Sequence, residues 1–528
     1  MGIEYTVAMQ LQLPLPVPVR KPRPPLQEKN GVVYTRGWVV DLLLDLAGYT
    51  ADANLVDLTA VEPAAGDGAF AVRMAERLVA SCRRQRRPVL DCATALIVYE
   101  LDATSAALAR SAIRAALRAL DVAEREAESL VGGWVHVGDY LADAPTLPPV
   151  DVAVGNPPYI RLEDMAVEDA AVYRAVYPTM KGRADLYVAF FEATLRGLRL
   201  GGVCAFICAD RWMLNQYGAG LRRLVTAAYG VEAASVGAAA LADALRATRA
   251  GSAKASQPSG LRAARVERWF QGADPWPCVS PERLALLQRL EREYRPLEDG
   301  ATGTRVGIGV ASGADEIYIT ADAEIVAPSR LLPLALASDT ATGTLRWSGH
   351  YLVNPWDAEG LVDLSHYPRL ADYYARHRRR IEGRNVGRRN PRHWYRTIDR
   401  VTPALLGQPK LYIPDIKGTI HPVLDTGHTY PHHNLYTVQS EVWDLAVLGG
   451  ILMSEVGQFF VACYGVRMRK GYLRFQAQYL RRIRVPHPAS IPADSAKGLT
   501  SAFHARDVAT ATALALDLYG IDAIPEEG

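Results

Sequence analysis

In the first third of the chain, apolar runs end again and again on a side chain that can do chemistry: Glu62, Glu100, Asp139 and Asn156. The last is the most unusual. "DVAVGNPPYI" (151–160) stops a buried-strand pattern with Asn156-Pro157-Pro158-Tyr159. This tetrapeptide suits alkylation of an exocyclic amine, whose lone pair is delocalised into its ring. An Asn side-chain oxygen and a rigid backbone carbonyl, both accepting from the same NH2, draw the nitrogen toward tetrahedral geometry. Pro157 and Pro158 fix the direction of that carbonyl and remove amide donors that would compete for acceptors. Tyr159 offers a flat face on which an extruded base can stack.

The other strand ends suit the second reactant. Glu62 leads into Pro63-Ala64-Ala65-Gly66-Asp67-Gly68, where two glycines let the backbone turn tightly and approach a ligand closely. No Gly-Lys-Ser/Thr follows, so this is not a phosphate loop. Glu62 and Asp67 would repel a pyrophosphate, but they suit a cationic or neutral cofactor such as S-adenosylmethionine, which carries a sulfonium and an ammonium. Glu100 can accept hydrogen bonds from both hydroxyls of a ribose.

These residues need a scaffold that brings strand ends together. "LTAVE" (58–62), "TALIVYE" (94–100), "VHVGD" (135–139), "VDVAVGN" (150–156) and "GGVCAFICAD" (201–210) read as buried strands. Helices are predicted from Ala69 to about Cys82, over 103–129 and over 185–198. The alternation predicts an α/β fold, a parallel sheet covered by helices on both faces. In such sheets ligands bind at the carboxyl ends of the strands, beside the switch in strand order.

The 528 residues allow two or three domains, and 49% hydrophobic with 22% charged residues is ordinary for a globular protein. The net charge of +2 means that any affinity for a polyanion must come from local clusters. The six cysteines show no paired metal spacing and read as reduced thiols of a cytoplasmic protein. No run of 18 apolar residues is present, so no membrane association is expected. Residues 1–30, with alternating prolines, read as an extended arm.

In the order of its motifs the chain resembles the gamma-class adenine-N6 DNA methyltransferases of bacterial restriction–modification systems. "GVVYTRGWVVDLLLDLAGY" (31–49) resembles their motif X, "VEPAAGDGAF" motif I, "VYELD" motif II, "VGDYL" motif III and "GNPPY" motif IV. "GRADLYVAFFE" (182–192) and residues 198–225 resemble motifs V to VII. The resemblance implies an S-adenosylmethionine-dependent, Rossmann-like sheet (31–265), a helical bridge (266–300) and a C-terminal α+β target-recognition domain (301–528). It implies cofactor contacts from Thr35, Glu62, Ala64, Gly66, Gly68, Glu100, Asp139 and Tyr140, with Asn156, Pro157, Pro158 and Tyr159 as the catalytic tetrapeptide. Double-stranded DNA is the implied partner, together with a separate cognate restriction endonuclease or other defence-system proteins.

One stretch departs from the family pattern. Motif VIII supplies an aromatic that holds the flipped base, yet no aromatic lies between Tyr229 and Trp269. This keeps a second reading open, a DNA-binding subunit with impaired catalysis. A third is methylation of RNA or protein, which related Asn-Pro-Pro-Tyr enzymes perform.

In the C-terminal half, Ser280-Pro281 opens a well-signalled helix over 280–294. Residues 371–400 hold ten arginines against three acids, and 467–484 hold seven basic residues and no acid, interleaved with Tyr472, Phe475 and Tyr479. Such clusters suit phosphate contact and base-edge reading. Arg467, Arg469 and Lys470 are the expected phosphate contacts, and Arg474 and Gln476 the expected base readers. Three weaker signals carry no function at this level. Cys278 after Pro277 reads as a core cysteine, and Pro414-Asp415-Ile416-Lys417 lacks the rest of a nuclease site. "HTYPHHN" (428–434) lacks neighbouring carboxylate or cysteine partners, so no metal is expected.

Overall fold

The structure, a computed structural model, describes residues 35–229, 272–277, 279–465 and 472–526. The N-terminal arm, the aromatic-poor stretch 231–268, Cys278 and the trio Arg467, Arg469 and Lys470 lie outside the described residues. The chain divides into two compact units, Met1–Trp276 and Pro277–Gly528.

The first unit is built on five parallel strands: β1 (Ala60–Glu62), β2 (Leu96–Glu100), β3 (Val135–Val137), β4 (Val150–Gly155) and β5 (Leu198–Phe206). Their order in the sheet is β3-β2-β1-β4-β5. Successive strands run outward from β1 to β3, and the chain then crosses back to lay β4 on the other side of β1. The order therefore reverses between β1 and β4, which opens a crevice at their carboxyl ends. Glu62 and Asn156 flank that crevice.

Helices α1 (Gly37–Leu46), α2 (Ala69–Arg84), α3 (Ala103–Ala119) and α4 (Glu124–Trp134) cover one face. They bury a core that includes Phe70, Met74, Leu78, Ile113, Leu117 and Trp134. The opposite face is covered by α5 (Tyr140–Asp143), α6 (Val167–Val176) and α7 (Tyr187–Arg196), around Tyr140, Tyr173, Tyr177 and Tyr187. The single long helix expected over 103–129 is two helices. Asp121 takes the left-handed conformation with φ 53°, and the Val122 N–H turns back to the Leu117 carbonyl at 3.1 Å. The Ala- and Arg-rich composition hid this break, since no Gly or Pro marks it.

The second unit is α+β. An antiparallel sheet orders Val423–Asp425, Lys410–Pro414, Leu435–Gln439 and Arg305–Ile308. A second sheet orders Tyr430–Pro431, Leu331–Ala335, Tyr351–Val353 and Ile319–Thr320, with only its first pair parallel. The helix at Pro281–Glu293 forms as predicted, with the Ser280 hydroxyl accepting from the Arg283 N–H at 3.4 Å. Buried helices Leu445–Met453 and Glu455–Tyr464 complete the core with Ala493–Ala505 and Val508–Leu518. Close packing of the first against the third requires glycine, because a Cβ at Gly450 would lie 2.7 Å from the Leu499 carbonyl oxygen. Among the described residues no single helix is long and apolar enough to cross a membrane.

Candidate active site

Apart from Thr35, each candidate residue of the first unit lies at or just after the end of a strand of one sheet. At the end of β1, Gly66 (φ 56°) and Gly68 (φ 94°) adopt left-handed backbone that a side chain would strain. They differ in what surrounds them. A Cβ at Gly68 would meet Ala109 of α3 at 3.1 Å, so this glycine permits close helix packing. A Cβ at Gly66 would meet nothing within 4 Å, so this glycine keeps a space open. Ala64 borders the same turn and is half-buried.

The turn is tied to its neighbour by Glu100. One carboxylate oxygen accepts from the Gly66 N–H at 2.7 Å and the other from the Asp102 N–H at 2.9 Å. Burial raises the Glu100 carboxyl above the usual carboxylate range, partly offset by these N–H groups. At the end of β3, Asp139 caps α5 by accepting from the Leu141 N–H at 3.1 Å, and it accepts from the Tyr173 hydroxyl at 2.6 Å. Tyr173 comes from α6, after the Asn-Pro-Pro-Tyr segment, and nothing in its local sequence marks it as a partner of Asp139. Tyr140 is 5% exposed, with its ring stacked on Phe190 at 5.8 Å and its hydroxyl 3.1 Å from that of Thr194. Its place is in the core beneath the site.

Glu62 is a strongly perturbed group. It is 1% exposed, and its Oε2 has no hydrogen-bond partner among the described residues. Burial holds its carboxyl well above the usual range, with the Ala71 N–H opposing and the negative charges of Glu100 and Asp67 reinforcing the shift. A buried, unpartnered carboxylate oxygen costs free energy unless a cation or donor arrives. The arrangement can accept a cation or a hydrogen-bond donor at this oxygen.

Across the crevice, Gly155 lets β4 approach β1, since a Cβ there would lie 3.3 Å from Pro63 Cδ. Asn156 follows, and its Nδ2 donates to the Thr35 hydroxyl at 3.1 Å. This bond links the segment before α1 to the end of β4 and contributes to the orientation of the amide. Thr35, expected among the cofactor contacts, is here a partner of Asn156. Pro157 is buried and Pro158 half-buried. Tyr159 is half-buried, its hydroxyl 3.4 Å from the Ile207 carbonyl oxygen and its ring 6.1 Å from that of Tyr187. Tyr187 in turn meets the Tyr217 hydroxyl at 2.8 Å. Burial, with Cys208 adding to it, pushes the Tyr159 phenol up to about 12, so it stays neutral.

In the second unit the basic clusters look different in space than in sequence. The acid-free run finds its acids elsewhere: Arg474 pairs with Asp415, Arg481 with Glu298 at 3.0 Å, and Arg482 and Arg484 with Glu291 at 3.9 Å. Phe475 and Tyr479 are core residues, so of the three interleaved aromatics only Tyr472 is exposed. Gln476 is half-buried at the start of a short helix. In the other cluster, Arg384 is buried and bonded to backbone carbonyls, and Arg380 pairs with Glu316 at 3.0 Å.

The strand order, the glycine turn at the switch point and the acidic residues at successive strand ends define an α/β protein of the Rossmann-like class, the fold expected of such a methyltransferase. Comparison with known proteins agrees. Residues 149–232 match the family described as Eco57I restriction-modification methylase. The chain is 39% identical to the type II methyltransferase M.PaeR7I of Pseudomonas aeruginosa, over 94% of this chain and 92% of that protein. It is 38% identical to the type II methyltransferase M.XhoI of Xanthomonas vasicola, over 94% and 98% respectively. It therefore belongs to the type II methyltransferases of restriction–modification systems. The fold of the solved type IIL restriction-modification enzyme MmeI, in complex with DNA, is similar over 92% of this chain and 72% of that one, with a TM-score of 0.54 at 11% identity.

Proposed function

We propose that this protein transfers a methyl group from S-adenosylmethionine to the N6 amino group of adenine in duplex DNA, as the modifying partner of a separate restriction endonuclease. The observation that carries the proposal is the convergence of two complementary sets of residues at one switch point. Glu62, Gly66, Glu100 and Asp139 lie on one side, and Asn156-Pro157-Pro158-Tyr159 on the other.

The residues present fit the cofactor. The unpartnered Oε2 of Glu62 suits the cationic amino-acid end. The lone pairs left on the Glu100 carboxylate suit ribose hydroxyls, and Asp139 suits a ring amine. The space beside Gly66 suits close backbone approach. When bound, S-adenosylmethionine supplies an electrophilic methyl group on a sulfonium. The chain's own part is to orient and activate the amine. The Asn156 carbonyl oxygen and the backbone carbonyl before Pro158 accept from the amino hydrogens and restore lone-pair density to the nitrogen. The Tyr159 face holds the extruded base. No covalent enzyme intermediate is required.

Incubation of the purified protein with radiolabelled cofactor and, in parallel, duplex DNA, RNA and protein tests the reading. Label is expected in duplex DNA alone. Incorporation into RNA or protein would favour a different substrate, and DNA binding without incorporation would favour the impaired-subunit reading motivated by the aromatic-free stretch.

A further inference from the structure

The histidine pair of "HTYPHHN" lacks a carboxylate partner in sequence, and the fold brings one from more than a hundred residues away. His432 Nε2 lies 3.1 Å from Asp315 Oδ2. The donor atoms of Asp315, His432 and His433 all lie within 4.8 Å of one another. The three residues are rigidly supplied. The His432 N–H donates to the Ala335 carbonyl at 3.0 Å, and the His433 N–H to the Val310 carbonyl at 3.1 Å. This tight pairing depends on Gly309, where a Cβ would lie 2.1 Å from the His432 carbonyl oxygen. The Ser312 hydroxyl donates to the second oxygen of Asp315.

Two further features point to a ligand. His433 Nδ1 is a buried atom with no hydrogen-bond partner among the described residues. Beside it lies a cavity of about 330 Å³, lined by Ser312, Gly313, Asp315, Glu316, Ile398 and His433. A lone His–Asp ion pair accounts for neither the second histidine nor the open space.

We propose that Asp315, His432 and His433 bind a single divalent transition-metal ion of the zinc class, with a remaining coordination position open toward the cavity for water or an anionic oxygen. One carboxylate and two imidazoles form a borderline donor set suited to such ions. Metal–ligand distances of about 2.0–2.2 Å require donor atoms roughly 3.3–3.6 Å apart in a tetrahedral site. The Asp315–His432 separation of 3.1 Å needs to open by only a few tenths of an ångström, and a side-chain rotation of His433 supplies the rest. Ser312, which orients the carboxylate, is the outer partner expected of a metal ligand. The ion would pin the segment 309–315 to the segment 430–433 within the second unit.

The test uses the untagged, full-length protein, stripped with a chelator and titrated with Co2+ as a visible-absorbing probe. One equivalent is expected to bind with a visible d–d band. His433→Gln and Asp315→Asn should each weaken that binding at least tenfold while circular dichroism and Tm stay near wild type. His428→Gln, at an exposed histidine nearby in sequence, should bind as wild type does. Absence of a stoichiometric site, or binding within threefold of wild type in either of the two ligand variants, overturns the proposal. Should His433→Gln fail to fold, the near-isosteric Asp315→Asn decides.

Discussion

Replacement of Glu62 by Gln separates binding from folding. In the free protein Glu62 is buried with one oxygen unpartnered among the described residues, and its carboxyl is held above the ordinary range, with desolvation the largest cause. A folded-state pKa raised above the unfolded value means that ionisation opposes folding. The penalty is absent below the unfolded carboxylate range and grows as pH rises above it. Glu62→Gln removes that penalty, so the cofactor-free variant should melt at a higher temperature than wild type at neutral pH, with the gap closing in acid. A difference of about 1 kcal/mol corresponds to roughly 2–4 °C for a unit of this size. Cofactor binding should move the other way. A hydrogen bond to a charged group contributes about 1.5–3 kcal/mol, so Kd should rise roughly 10- to 150-fold. Because a bound cation favours the ionised carboxylate, wild-type binding should also release protons, and affinity should fall as pH is lowered. Calorimetry in buffers of differing ionisation enthalpy measures both effects. A variant that binds S-adenosylmethionine as tightly as wild type, with unchanged proton release, would refute the assignment of Glu62 to the cationic end.

Other outcomes follow from single contacts. Thr35→Val should lower the methylation rate more than it weakens cofactor binding, because it removes one of the contacts that orient the Asn156 amide, and Thr35→Ser should restore the rate; equal loss in Thr35→Ser would contradict a hydrogen-bonding role. Tyr173→Phe should weaken cofactor binding by about 0.5–1.5 kcal/mol, a few-fold to tenfold in Kd, through loss of its bond to Asp139; an unchanged Kd would place Asp139 away from the cofactor. Charge reversal at Arg467, Arg469 and Lys470 should weaken binding to all DNA sequences and reduce the slope of log K against log salt by about 0.9 for each phosphate no longer neutralised; an unchanged slope would remove these residues from the DNA contacts. Arg474→Ala should shift base preference only if Arg474 can leave Asp415, so Asp415→Asn should broaden or strengthen DNA binding where Arg474→Ala weakens it.

The sheet was legible because its chemistry falls at strand ends, where apolar runs of fixed length meet residues that do not belong in a core. Glu62, Glu100, Asp139 and Asn156 were visible for that reason, and so was the Gly66 turn. Residues acting across the fold were not. Tyr173 reaches Asp139 from a helix 34 positions later, and Asp315 joins His432 across 117 positions, with no local pattern to mark either link. Tyr140 stands beside Asp139 in sequence, but the α5 turn sends its ring into the core against Phe190. Charge runs hid their partners for a related reason. Arg474, Arg481, Arg482 and Arg484 have no acidic neighbour in sequence, yet tertiary structure gives each a carboxylate. Pairing of that kind is set by topology, which composition does not encode.

The central claim is methyl transfer to an adenine amine under the control of Asn156. Its most direct test is nucleoside mass spectrometry of duplex DNA after incubation with the protein and S-adenosylmethionine carrying a deuterated methyl group. Labelled N6-methyldeoxyadenosine is predicted with wild type, and none with Asn156→Ala, although that variant should bind cofactor nearly as well. Label on a cytosine instead, or wild-type levels of N6-methyldeoxyadenosine from Asn156→Ala, would contradict the account.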